Sequence, residues 1–66
     1  MTKFGSNIKK LRESKGLSLS DVEEKLGITK GLISRYENNL VDPSLSVAAK
    51  FAKFYSVSLD HLAELK

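Results

Sequence analysis

The stretch LGITKGLISRYENN, residues 26–39, decides the fold. It begins with a connection, residues 26–29, that contains Gly27 and is about three to four residues long. A connection of that length joins two helices at a steep angle, whereas an antiparallel hairpin of helices needs a different geometry. The stretch therefore predicts a helix-turn-helix, with the turn at Gly27.

The segment after the turn has the signals of a short helix at about residues 29–38. Thr29 is of a residue type that caps helix N-termini, and Ile33 and Tyr36 form an apolar stripe. The pair Asn38-Asn39 is a polar terminator, because asparagine tolerates the left-handed conformation. Apart from Leu32, the remaining residues of the segment are polar or small, so the helix is predicted to keep one face for a partner.

Two further helices are predicted before the turn. The first follows an apolar face of Phe4, Ile8 and Leu11 and ends at Gly16. The second begins at Ser18, which has an acidic residue three positions later, a variant of the capping box, and ends at Gly27. Its buried side is predicted to be formed by Val22 and Leu26.

Two more helices are predicted after residues 26–39. Pro43-Ser44 restarts the chain, and one helical face then carries apolar residues at Leu45, Ala48, Phe51, Ala52 and Tyr55. Ser58 caps the last helix, whose inward-facing residues are Leu59, Leu62 and Leu65. No stretch of six residues alternates as a strand does, so the fold is predicted to be all-α.

Bulk composition restricts the functional class. The 66 residues are enough for one domain, residues 1–66, and the apolar fraction of 41% indicates a folded chain. There is no cysteine, and His61 is the only histidine, so thiolate or histidine-rich metal sites and cofactor motifs are not expected. The net charge of +3 is only mildly basic, and without a membrane-spanning run the expected location is cytoplasmic.

Four segments, IKKLRESKGLS, LGITKGLISRYEN, PSL and VSLDHL, together resemble the phage-repressor-like (Xre/Cro type) helix-turn-helix DNA-binding domains in order and spacing. The resemblance implies a compact five-helix, lambda-repressor-like domain with the motif formed by helices 2 and 3. It further implies that helix 3 reads the major groove of double-stranded DNA and that the chain regulates transcription, most simply as a small dimeric repressor.

The same resemblance suggests a set of DNA-contacting residues. If Ile33 and Tyr36 face the core, the opposite side of helix 3 presents the candidates for base reading, which are Lys30, Gly31, Ser34 and Arg35. Among these, Arg35 is the strongest candidate, because a guanidinium can pair bidentately with guanine O6 and N7. Candidates for contacts to the DNA backbone or helix-end roles are Ser18, Thr29, Asn38 and Asn39.

The sequence departs from the family at two places. Leu19 occupies a position where such proteins often have a glutamine that contacts the DNA backbone. Only the main-chain N–H and Ser18 then remain as candidates for a contact at that point. The loop after helix 3 reads Asn38-Asn39-Leu40-Val41-Asp42, where the family often has Asn-Gly and basic residues. Fewer phosphate contacts are therefore expected from this loop.

The resemblance also pairs Arg12 with Glu37 as a largely buried ion pair between helix 1 and the end of helix 3. A homodimer is expected, because one such domain reads only about half a helical turn of DNA. Apolar residues in excess of the core's need are the candidates for its interface, namely Val41, Val47, Phe54 and Leu65.

One alternative to DNA binding stays open on the sequence alone. No catalytic constellation is visible, so an enzyme is not expected. A protein-interaction module on the same fold, for example an antitoxin-like partner protein, would present apolar anchors on helix 3. Leu32 is the residue that leaves this choice undecided, since it is equally suited to the core, to a thymine methyl group or to such an anchor.

Overall fold

The computed structural model describes residues 3–63, which form an all-α domain with no strand among them. In chain order the helices are α1 (Phe4–Ser14), α2 (Leu19–Leu26), α3 (Lys30–Glu37), α4 (Leu45–Tyr55) and α5 (Leu59–Ala63). The predicted fold class and the order of the helices are confirmed. The contacts of α1 with α3 and of α2 with α3 place α3 between the first two helices.

Left-handed residues follow the ends of four helices, α1 to α4, and three of these ends share one hydrogen-bond pattern. Gly16 has φ +69°, and its N–H donates to Glu13 O while the N–H of Leu17 donates to Arg12 O, which is a Schellman motif. The same arrangement is built at Asn39, with φ 60°, and at Ser56, with φ 58°. The stops at Gly16 and Asn38-Asn39 were predicted, whereas Ser56 has no signal in the sequence.

Aromatic rings form the centre of the core. Phe4, Tyr36 and Phe51, from three different helices, meet edge to face with ring centres 5.6–6.4 Å apart. Ile8, Ile33 and other fully buried aliphatic side chains surround them. Edge-to-face pairs add about 0.5–1.5 kcal/mol each to the burial of the rings. The cluster therefore fixes α3 by its inner face and leaves its outer face to solvent.

Gly5 lies where α1 comes close to the backbone at the end of α3. A Cβ atom added there would overlap the carbonyl oxygen of Tyr36 and lie 2.6 Å from Asn39 Oδ1 and 2.9 Å from Glu37 O. Only glycine fits at this position. Sequence reasoning did not predict the contact, because a lone glycine in the first turn of a helix carries no pattern.

Asn7 joins α1 to the end of the chain's last helix. Its Nδ2 donates to Leu62 O at 2.7 Å and to His61 O at 3.2 Å, so the side chain ties α1 to the main chain of α5. The side chain is buried, which was not predicted from the sequence. The signal that could have indicated it is the position of this asparagine between Phe4 and Ile8 on an apolar helix face.

Several predictions about α4 need correction. Leu45 was assigned to the core but is 68% exposed, whereas Val47 and Phe54, assigned to a dimer interface, are half-buried against the core. Val41 is exposed as predicted, and Leu65 lies outside the described residues. Across residues 3–63 no helix is long and apolar enough to cross a membrane.

Candidate nucleic-acid interface

The turn before α3 sets the direction in which that helix points. Gly27 adopts a left-handed conformation with φ +71°, which ends α2, and buried Ile28 holds the turn against the core. Thr29 then caps α3, its Oγ1 accepting from the N–H of Leu32 at 3.4 Å. The remaining N–H groups of the first turn face outward, and they carry the partial positive charge of the helix N-terminus.

The outer face of α3 is formed by the residues that the sequence predicted for it. Lys30, Gly31 and Arg35 are exposed and Ser34 is half-buried. The opposite face, with Ile33 and Tyr36, is buried. Leu32 is half-buried and packed against the core, so its role is chiefly to hold the helix and not to present a free apolar anchor.

Gly31 is not required by the packing of the domain. A Cβ atom at this position would meet nothing within 4 Å, and the residue lies in ordinary helix without a positive φ. A glycine inside a helix destabilises it by roughly 0.5–1 kcal/mol relative to alanine. The chain therefore carries a cost here that nothing inside it explains, and an external surface close to the backbone would explain it.

Ser34 and Asn38 are coupled by hydrogen bonds at the end of α3. Asn38 Nδ2 donates to Ser34 O at 2.8 Å and to Ser34 Oγ at 3.4 Å. The carbonyl can only accept, so the orientation of the amide is determined by this contact. The main role of the Asn38 amide is thus to hydrogen-bond the last turn of α3, and its Oδ1 remains available as an acceptor. Asn39 supplies the left-handed turn beside it and is exposed.

The N-terminus of α2 is a complete capping box. Asp21 N–H donates to Ser18 Oγ at 3.0 Å, and Ser18 N–H donates to Asp21 Oδ2 at 2.8 Å. Ser18 therefore has only its hydroxyl proton left to offer a phosphate. The Asp21 carboxylate already occupies the anion position at this helix end, and Leu19 is half-buried against the core. Ser18 is accordingly the weakest of the predicted DNA contacts.

The capping box gives the domain an acid-sensitive element. Backbone and side-chain hydrogen bonds from Ser18 lower the pKa of Asp21 below its usual value. A lowered folded-state pKa means that the stabilisation is present above the unfolded-state pKa and is lost as the pH falls through the folded-state value. In urea titrations from pH 6 to pH 2, an Asp21→Asn variant should lose less stability than the parent. An identical acid dependence of the two proteins would contradict the role of this carboxylate.

The predicted pair of Arg12 and Glu37 is present and tightly built. Arg12 Nε donates to Glu37 Oε2 at 2.8 Å and Nη2 donates to Oε1 at 3.1 Å, while Nη1 donates to Leu17 O at 2.9 Å. The side chains are 13% and 4% exposed, and the hydrogen bond to Glu37 raises the pKa of Arg12. Every nitrogen of the guanidinium thus donates a hydrogen bond within the domain. The pair joins α1 to the end of α3.

Tyr55 lies beside this pair. The sequence predicted it as part of the apolar face of α4 but not its position next to the two charges. Its hydroxyl is buried and has no hydrogen-bond partner among the described residues. Burial raises its pKa to about 12, and the charge of Glu37 adds to the effect. The phenol therefore stays neutral near the buried carboxylate.

Fold and site together define a class: a compact helical domain whose helix-turn-helix presents one polar, cationic helix face on a rigid support. Comparison with known proteins agrees, since the family model described as helix-turn-helix matches residues 8–62. The chain belongs to the Xre-type helix-turn-helix family.

Curated relatives carry the same assignment. The chain is 38% identical over 64 residues to the HTH-type transcriptional regulator SinR of Bacillus subtilis, covering 96% of this chain and 58% of that protein. It is 33% identical over 57 residues to an uncharacterized HTH-type transcriptional regulator of Methanocaldococcus jannaschii, covering 86% of each. The cryptic phage CTXphi transcriptional repressor RstR of Vibrio cholerae is 34% identical, over 89% of this chain and 53% of the repressor.

These relatives confirm the expectation that the chain is not an enzyme, because they are named as transcriptional regulators. The chain spans only 58% of the length of the Bacillus regulator and 53% of the Vibrio repressor. No solved structure gave a significant match.

Proposed function

We propose that the chain is a DNA-binding transcriptional regulator that recognises a specific sequence in double-stranded DNA and acts as a dimeric repressor, with α3 in the major groove. The observation that carries the proposal is the outer face of α3, where Lys30, Gly31 and Arg35 are exposed while the inner face is locked in the core. Relatives named as regulators and repressors support the same function.

The chemistry of this face suits a duplex. The N-terminus of α3, with Lys30 beside it, offers donors and positive charge to phosphate or to base acceptors. Arg35 lies five residues further along, about 140° around the helix axis from Lys30, so the two cations lie at the two edges of the outer face. Thr29 and Asn39 flank this side and are the further candidates for backbone contacts, with Asn38 contributing through its free Oδ1.

The dimer in this proposal rests on an exposed apolar patch formed by Leu40, Val41 and Leu45. These are the large apolar residues that the described part of the chain exposes, and they follow directly after α3. The described domain measures 31 × 22 × 18 Å, which is comparable with the 34–36 Å separation of successive major-groove half-sites.

The proposal is tested by selecting binding sites from random duplexes with the purified protein and with Arg35→Ala. We expect an enriched two-fold-symmetric site, and the variant should lose about 1–3 kcal/mol of discrimination at one base pair per half-site. Lys9→Ala, which removes an exposed cation from α1, is the matched control and should keep the sequence preference. Salt-sensitive binding with no enriched sequence would instead support the protein-interaction alternative.

Gly31 allows stability and DNA binding to be separated in one variant. Gly31→Ala should raise the free energy of unfolding by up to about 1 kcal/mol, because alanine favours the helix and the added methyl group meets no neighbour. The same methyl group should weaken specific DNA binding by obstructing the approach of α3 to the bases. Urea unfolding and binding to the selected site measure the two effects. A variant that is more stable and binds equally well would remove Gly31 from the interface.

A further inference from the structure

A groove on another side of the domain lies between the end of α2 and the second half of α4. It has a volume of about 280 Å³ and is lined by Lys25, Leu26, Lys50, Lys53 and Phe54. None of these residues belongs to α3 or to the loop that follows it. The groove is therefore distinct from the proposed DNA-reading face.

The floor of the groove is apolar and its rim is cationic. Leu26 and Phe54 are half-buried, and the Phe54 ring is held by Tyr55, with ring centres 4.9 Å apart. Lys50, Lys53 and Phe54 lie at helical spacings of three and four on one side of α4, with Lys25 opposite them on α2. A rigid apolar floor surrounded by charges of one sign is the arrangement that anchors a peptide side chain and selects its flanks.

The lysines of the rim are not neutralised within the domain. No carboxylate lines the groove, and in the described part of the chain no ion pair involves Lys25, Lys50 or Lys53. Lys25 and Lys53 lie in the last turns of their helices, where cations are favourable without a partner. Lys50 lies before the last turn of α4, so the helix dipole does not stabilise its charge. All three lysines line the same small apolar surface.

We propose that this groove binds an acidic peptide segment of another protein, with one large apolar side chain on Leu26 and Phe54 and flanking carboxylates paired to the lysines. Charge complementarity selects this occupant. A second copy of the chain has an acidic segment at residues 21–24, but Val22 within it is fully buried and cannot serve as the anchor. A nucleic acid would leave the apolar floor without a partner. The groove gives the domain a second, separate surface for protein contact.

The probe is the peptide acetyl-Glu-Glu-Phe-Glu-Glu-amide, titrated into the isotope-labelled protein while amide resonances are followed by NMR. The expected shifts are confined to the five groove residues and their neighbours and spare the outer face of α3. Lys53→Glu should weaken binding by about fivefold, while Lys9→Glu, the same charge change on α1, should stay within about twofold. Lys50→Glu is the second groove variant. It should weaken binding similarly, and because it lies before the last turn of α4 it does not place a negative charge at the helix C-terminus.

Control titrations give the results that would overturn the proposal. Equal binding of a peptide with alanine in place of phenylalanine would mean that the apolar floor plays no part. Equal weakening by Lys9→Glu and Lys53→Glu would reduce the effect to net charge. Groove resonances that shift with protein concentration alone would assign the groove to a second copy, and shifts caused by duplex DNA would make it part of the DNA site.

Discussion

Replacing Glu37 with alanine is expected to lower the free energy of unfolding by about 3–5 kcal/mol. The Arg12 side chain is only 13% exposed in the parent, and the substitution removes the carboxylate that accepts from its Nε and Nη2. A domain of this length has about 3–10 kcal/mol of total stability, so a large part of the molecules should be unfolded at 37 °C. Urea unfolding followed by circular dichroism measures the loss.

Two further variants distinguish a stranded charge from lost packing. Replacing both partners, with Arg12→Met and Glu37→Leu together, removes the charges and fills the space, and should recover most of the stability. Glu37→Gln keeps the shape and one accepting oxygen, and should lie between the parent and Glu37→Ala. A double variant no more stable than Glu37→Ala would show that the hydrogen bonds, not the unpaired charge, dominate.

The second large effect is expected from Gly5→Ala, which should destabilise the domain by about 1–3 kcal/mol. The new methyl group would overlap the carbonyl oxygen of Tyr36, a backbone atom that cannot move without moving α3. The loss should appear although alanine is favoured over glycine in helices by about 1 kcal/mol. Thermal unfolding of the variant measures it.

Gly31→Ala is the matched control for this prediction, because it makes the same chemical change in a helix where the methyl group meets nothing within 4 Å. The two variants should shift the melting temperature in opposite directions. A stabilised Gly5→Ala would mean that α1 and α3 separate easily, and that the position of α3 is not fixed by this contact.

The parts of the fold that were predicted depend on local chemistry. Thr29, Ser58 and the pair Ser18–Asp21 were visible because a cap needs only the residues within three positions of it. The glycine turn at Gly27 is equally local. Such signals specify where helices begin and end without any knowledge of what packs against them.

The errors lie on α4, where the pattern itself is ambiguous. Its sequence LSVAAKFAKFY has apolar residues on almost every side, so helical spacing selects more than one possible core face. The choice is made by the neighbouring helices, which bury Ala48 and Phe51 and leave Leu45 exposed. Periodicity identifies a face only when the remaining sides are polar.

In the candidate site, too, the features set by local sequence were predicted and those set by contacts between remote helices were not. The outer face of α3 followed from placing Ile33 and Tyr36 inside, and the Arg12–Glu37 pair followed from the family resemblance. Gly5 and Asn7 were not found, because their roles are a distance and a hydrogen bond between helices remote in sequence. The groove between α2 and α4 was missed for the same reason.

The hydrogen bond from Asn38 to Ser34 has a consequence for the information content of an operator. Ser34 Oγ accepts from the Asn38 amide at 3.4 Å, which uses one of its two lone pairs and favours the hydroxyl acting as a donor. In the major groove, purine N7, guanine O6 and thymine O4 accept, whereas cytosine offers only its amino group. If α3 reads bases as proposed, the position facing Ser34 should disfavour cytosine on the contacted strand and tolerate the other bases. That column of the binding-site alignment would be degenerate, and Asn38→Ala would make it more so.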